Sequence, residues 1–253
     1  LVHVAHNCRI GRHVVVAAAS REAELAGPSK LAAVVEKVSR GVASEMPLGL
    51  TAVRVEAWYQ GSDPWPLVDP KDLALLRRLE SQFESIGSEA TSTRVGIGVA
   101  SGCDRLYLTK DASLVEPSRL LPLALADDLR TGSLEWSGHY LVNPWDSSGL
   151  VDLADFPRLE AYFGTHVDEL SGRHCAREQG KRWYRTIDRV DPTLASRPKL
   201  YFPDIKGCIH PVLDKGLTYP HHNLYFVVSD KWDLEVLGGL LMSRIAQFFV
   251  ECY

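Results

Sequence analysis

The segment Arg173-His-Cys-Ala-Arg177-Glu-Gln-Gly-Lys181-Arg182-Trp183-Tyr184-Arg185-Thr-Ile-Asp-Arg189, taken up again by Arg197-Pro-Lys199-Leu-Tyr-Phe-Pro-Asp-Ile-Lys206, is the one basic island in an acidic chain. Counted continuously from Arg173 to Lys206, it holds nine Lys and Arg against four acids, a net +5, whereas the whole 253-residue chain is −4, so the remainder carries −9. Positive charge gathered in this way, with Trp183 and Tyr184 set among the arginines, is the composition of a surface that meets phosphates and flat bases. It is equally the composition of a solvated helix face whose arginine stems lie along apolar neighbours. On a continuous helix Arg173, Arg177 and Lys181 would share one face.

Working outward, a hydrophobic fraction of 45% over this length supplies a real core. No apolar run approaches the roughly 18 residues that a membrane helix needs, and the N-terminus lacks the layout of a signal peptide. The five cysteines, Cys8, Cys103, Cys175, Cys208 and Cys252, are scattered and form no CxxC, which suggests neither a disulfide framework nor a zinc site. The expected setting is a reducing cytoplasm, with no membrane. A first residue that is Leu1, and a last stretch, Leu240 to Tyr253, that stops within an apolar helical pattern, suggest a piece of a longer protein.

The periodicity mixes helices and strands without regular alternation, so the expected class is α+β. Strands are predicted at 13–18, 50–58, 95–99, 105–109, 139–143, 199–202 and 223–229. The pair 95–99 and 105–109 reads as a hairpin closed by Ala100-Ser-Gly-Cys-Asp104. Helices are predicted after Ser29, after Asp69-Pro70, from Phe156 onward and from about Leu234 to the end. Gly61-Ser-Asp-Pro-Trp-Pro66 interrupts the pattern and marks the expected boundary between residues 1–60 and 61–253.

Several stretches invite a chemical reading. Gly96-Ile-Gly-Val-Ala-Ser-Gly102 has the glycines of a nucleotide loop, but the following residues read as a strand, whereas such a loop opens a helix. A glycine-rich hairpin that lets backbone approach closely is the better reading. Asn143-Pro-Trp-Asp146 is similar to the Asn-Pro-Pro-Tyr box by which amino-methyltransferases hold a flipped base, with its second Pro and its Tyr replaced by Trp145 and Asp146; the competing reading is a strand-to-turn exit. His210, Asp214, His221 and His222 have the residue types but not the spacing of a metal set, so no metal ligand is assigned. No nucleophile elbow is present, and no catalytic residue is assigned.

Taken in chain order, Asp63-Pro-Trp-Pro-Leu, Val95-Gly-Ile-Gly to Leu108, Tyr140-Leu-Val-Asn-Pro, Phe156-Pro-Arg-Leu-Glu-Ala-Tyr-Phe, Arg173 to Arg185, Arg197-Pro-Lys-Leu-Tyr-Phe-Pro-Asp-Ile and Leu240-Leu-Met-Ser-Arg-Ile-Ala-Gln-Phe-Phe resemble the C-terminal target-recognition domain of TaqI-like, Eco57I-type adenine-N6 DNA methyltransferases. Ala100 stands where that family has Thr and Met242 where it has Asn. The resemblance covers roughly residues 63 to 253. It implies a chain that recognises double-stranded DNA in a site-specific restriction-modification enzyme, with residues 1–60 the tail of an upstream methyltransferase domain. S-adenosyl-L-methionine is then the cofactor of the parent enzyme, and none is expected in this chain. A base-modifying enzyme needs such a basic arm to hold the duplex while one base is extruded. The expected DNA contacts are Arg173, Arg177, Lys181, Arg182, Arg185, Lys199, Ser101 and Arg105, with Trp183 and Tyr184 read as core anchors. The resemblance leaves two other functions open: a type I specificity-subunit domain, whose recognition domains are similar, and a protein-interaction domain of a phage-defence methyltransferase.

Overall fold

A computed structural model describes residues 2–7, 14–19, 28–42, 46, 49–55, 66, 68–177, 180–203 and 209–253. Helices and sheets are mixed, as the α+β expectation requires. The chain divides into two compact units, Leu1–Ser85 with Arg244–Tyr253, and Ile86–Ser243. The sequence-predicted boundary near Gly61 lies outside the described residues, and the division falls later because the helix after Asp69 packs with the N-terminal strands.

In the first unit, β1 (Val2–Asn7), β2 (Val14–Ala19) and β3 (Leu50–Val55) form an antiparallel meander with β2 central. Helix α1 (Pro28–Ser39) sets Val34 and Val35 into its apolar seam. Helix α2 (Pro70–Gln82) starts at the expected Asp69-Pro70, where the Asp69 carbonyl accepts from the Asp72 and Leu73 amides. Leu73 and Leu76 pack with Val16, Val68 and the last helix, Arg244–Cys252, through Phe248, Phe249 and Cys252. Burial pushes the Cys252 thiol up to about 11.

The second unit holds two four-stranded sheets. One has the order β4 (Thr93–Ile97), β11 (Leu224–Ser229), β8 (Lys199–Pro203), β9 (Val212–Asp214), all antiparallel. The other runs β10 (Tyr219–Pro220), β6 (Leu120–Ala124), β7 (Tyr140–Val142), β5 (Leu108–Thr109), with β10 parallel to β6. Side chains alternate across a strand, and the first sheet uses both faces. Tyr201, Leu224, Phe226 and Val228 enter the main core, while Leu200, Phe202 and Val227 meet helix α8 (Leu234–Leu241) through Leu237. The main core also takes Leu159 and Phe163 from α4 (Pro157–Gly164) and Leu170 from α5 (Val167–Ser171).

Two predicted elements differ. The segment expected as a strand from Arg105 begins as one helical turn, α3 (Asp104–Tyr107), and its strand β5 pairs with β7, so 95–99 and 105–109 form no hairpin. Local hydrogen bonds override the β-forming residues: Ser101 Oγ accepts from the Cys103 amide, and the Cys103 carbonyl accepts from the Leu106 and Tyr107 amides. The terminal helix is likewise two helices, α8 ending at Leu241 and a second starting at Arg244, because each half serves a different core.

Burial raises the phenols of Tyr107, Tyr201 and Tyr219 above their ordinary range. Since their folded pKa values exceed the unfolded value near 10, their contribution to stability is complete below about pH 10 and is lost as pH rises beyond it. Phenolate absorbance should therefore climb in two stages, the second coincident with loss of near-ultraviolet circular dichroism. Ionisation of all nine tyrosines in a still-folded chain would contradict this burial.

Candidate nucleic-acid interface

Apart from two single turns, the described residues of 173–189 are irregular backbone, which must find partners for its carbonyls. Helix α6 (His174–Arg177) is a single turn, and Gly180–Arg182 is a separate 3-10 turn, so Arg173, Arg177 and Lys181 do not share the face of one continuous helix. What organises the segment is Arg173. Its Nε donates to the Leu170 carbonyl at 3.0 Å and one terminal nitrogen to the Ser101 carbonyl at 3.0 Å. The other terminal nitrogen reaches the carbonyls of Trp183 at 3.0 Å and Arg185 at 2.7 Å, and the Tyr107 hydroxyl at 3.2 Å. The guanidinium carbon also lies 5.2 Å from the centre of the Tyr107 ring. Tyr107 in turn donates to the Tyr184 carbonyl at 2.7 Å, so three consecutive carbonyls are held by two side chains. Arg173 was expected to touch DNA; its fork is instead directed into the protein.

Above this tie the aromatic pair anchors the loop. Tyr184 is buried and donates to the Val151 carbonyl at 2.5 Å. Trp183 is half-buried against the main core, edge-on to Tyr184 and to Phe163. Arg177 and Arg182 are exposed. Arg177 uses its Nε on the Gly172 carbonyl at 2.9 Å. The backbone of Lys181 lies in the 3-10 turn, and its side chain is outside the described residues. Arg185 is half-buried, donating to the Thr186 and Ile187 carbonyls and lying 5.7 Å from the Trp145 ring centre. Arg105 is exposed and paired with Glu169.

Two predicted contacts are corrected outright. Lys199 is fully buried, its ammonium donating to Asp214 Oδ2 and the Thr218 carbonyl at 2.9 Å each and to the Ala195 carbonyl at 3.3 Å. Burial holds its pKa below the usual lysine range, against the pull of Asp214. Ser101 is 1% exposed and donates to Asp104 Oδ1 at 2.6 Å. Both residue types are common at DNA surfaces, and neither reaches the surface here.

The two motif-like stretches are used by the chain itself. The Asn143 amide donates to the Trp145 carbonyl at 2.9 Å while its oxygen accepts from the Trp145 amide at 3.0 Å, which closes a strand-to-turn exit. At Gly98 a Cβ would lie 2.2 Å from the His221 carbonyl oxygen, so this glycine admits the protein's own backbone. The sequence reading missed Asp188, counted only as charge: its carboxylate accepts from the Ala100 amide at 2.8 Å and its own amide donates to the Ala100 carbonyl at 3.2 Å. The island and the loop at 98–104 are thereby one unit.

Lysine lacks the planar fork that Arg173 uses. Arg173→Lys should therefore lower stability by on the order of 3 kcal/mol in chemical denaturation, whereas Arg177→Gln should stay within about 0.5 kcal/mol. Equal losses in the two variants would show that Arg173 is not the tie.

No family model matches the chain. Curated relatives are type II methyltransferases. Over 195 residues the chain is 47% identical to M.PaeR7I of Pseudomonas aeruginosa, covering 76% of this chain and 34% of that protein. It is 46% identical over 203 residues to M.XhoI of Xanthomonas vasicola, with 79% and 37% covered, and 39% identical over 198 residues to M.BstVI of Geobacillus stearothermophilus, with 78% and 35% covered. The chain thus spans about a third of the length of the type II methyltransferases it matches.

Proposed function

We propose that the unit Ile86–Ser243 is the DNA-recognition part of a cytoplasmic type II adenine-N6 methyltransferase, holding double-stranded DNA while upstream sequence transfers the methyl group of S-adenosyl-L-methionine. The observation that carries this reading is the division of labour in the basic island. Arg173, Tyr107 and Tyr184 fix the backbone from below, and Arg177 and Arg182 stand exposed on the fixed turns. Cations on a rigid base lose less freedom on meeting phosphates than cations on a loose loop. Lys181, in the same turn as Arg182, belongs to this contact set, and Arg105 borders it across the Arg173–Ser101 link. The names of the relatives supply the enzyme class. This chain contributes grip and register, and the sequence-specific contacts come from side chains of the same loops that reach base edges.

The triple variant Arg177→Gln, Lys181→Gln, Arg182→Gln tests the reading by fluorescence anisotropy with duplex DNA over a range of salt. Affinity should fall for all sequences alike, and the slope of log affinity against log salt should flatten by roughly 0.9 for each phosphate that is no longer neutralised. Unchanged affinity and slope would leave the island a solvated surface.

A further inference from the structure

The turn between β10 and β11 brings His221 and His222 beside Asp104 at the start of α3. We propose that these three side chains bind one divalent transition-metal ion of the zinc class. One ligating atom from each lies within 4.8 Å of the others. His221 Nε2 and Asp104 Oδ2 are 3.1 Å apart, and the two imidazole centroids 4.0 Å. A tetrahedral ion with bonds of about 2.0–2.1 Å separates its ligand atoms by roughly 3.3 Å, so the Asp104–His221 pair already has the spacing and His222 needs only a side-chain adjustment.

The backbone under the three residues is set. The His221 amide donates to the Ala124 carbonyl and the His222 amide to the Val99 carbonyl, both at 3.1 Å, while the His221 carbonyl accepts from Leu224 at 2.8 Å. Gly98 is what allows that turn to approach. On the carboxylate side, Ser101 holds Asp104 Oδ1 at 2.6 Å, the kind of outer hydrogen bond that orients a metal-binding carboxylate. His221 is 6% exposed, and its Nε2, the nitrogen that would bind, meets the Asp104 carboxylate with the His222 ring 4.0 Å away centre to centre. Two imidazoles and a carboxylate are the three-protein-ligand set of open zinc sites, and exposure of Asp104 and His222 lets a fourth ligand enter from solvent. The ion would staple the loop at 98–104 to the β10–β11 turn. This site does not depend on the DNA-binding reading.

The test uses the whole chain, stripped of metal, titrated with cobalt(II) and then zinc(II). One equivalent of cobalt should give the visible absorption of a low-coordinate site, and zinc should abolish it. Zinc at about 100 times Kd should raise the melting temperature by on the order of 5 °C. His222→Gln and Asp104→Asn, both at exposed positions, should weaken binding roughly 10-fold or more, and His174→Gln, elsewhere on the surface, should not. His222→Cys keeps a ligand and should add thiolate-to-cobalt charge transfer in the near ultraviolet, a signal available even if one of the other variants folds poorly. Absence of stoichiometric binding, or binding unchanged in His222→Gln and Asp104→Asn with no charge transfer in His222→Cys, overturns the proposal.

Discussion

The second unit depends on one cation that faces inward. Arg173 joins the end of α5 and the turn at Trp183–Arg185 to the loop at Ser101 and the phenol of Tyr107, two stretches far apart in the chain. A hydrophobic contact could not do this, because the groups to be satisfied are carbonyls at the edge of the core, and an unsatisfied carbonyl there costs about as much as the bond is worth. Guanidinium suits such a junction because it is always charged, flat, and presents several donors at fixed angles. The positive charge that makes the segment look like a DNA surface is thus partly the charge that builds the segment.

The same conclusion follows at Lys199. It pairs in register with Asp214 across β8 and β9, and both side chains are fully buried. A buried ion pair gains little net stability, since desolvating both groups opposes their attraction. Its effect is on register. Asp214 also accepts from the Thr218 amide and hydroxyl, and from the amides of Gly216 and Leu217, so a slip of β8 by one residue would strand both a cation and a carboxylate in the core. The net positive charge counted along the island therefore overstates what solvent and phosphate see, because Lys199 is neutralised inside by Asp214.

Much of the fold was legible. The runs at 140–142, 199–203 and 224–229 are strands because β-branched and aromatic residues fill them, and 157–164 is a helix because Pro157 opens it and Leu159 and Phe163 fall on one face. Legibility failed at Asp104–Tyr107, where composition favours a strand and Ser101, three residues before the turn, favours a helix. It failed again for individual roles. A sequence shows that residue 173 is an arginine and residue 101 a serine, but whether either faces solvent is decided by chain segments that pairing brings from 70 or more positions away. His221 and Asp104 were unreadable for the same reason, being 117 residues apart.

The links between the island and the glycine loop bear on how a duplex would be held. Arg173 bonds the Ser101 carbonyl, Asp188 takes the Ala100 amide, and Arg105 on α3, which follows the loop directly, pairs with Glu169 on α5. Three attachments from three different elements leave the loop at 98–104 little freedom to move without the turns at 180–188. The loop's other flank is pinned to the second sheet by the Val99–His221 bridge and by the close approach at Gly98. On the proposed reading, a phosphate held at Arg177 or Arg182 would be held by turns tied to both sheets, and the inward-facing Arg173 would limit adaptation to a wrong register without touching a base.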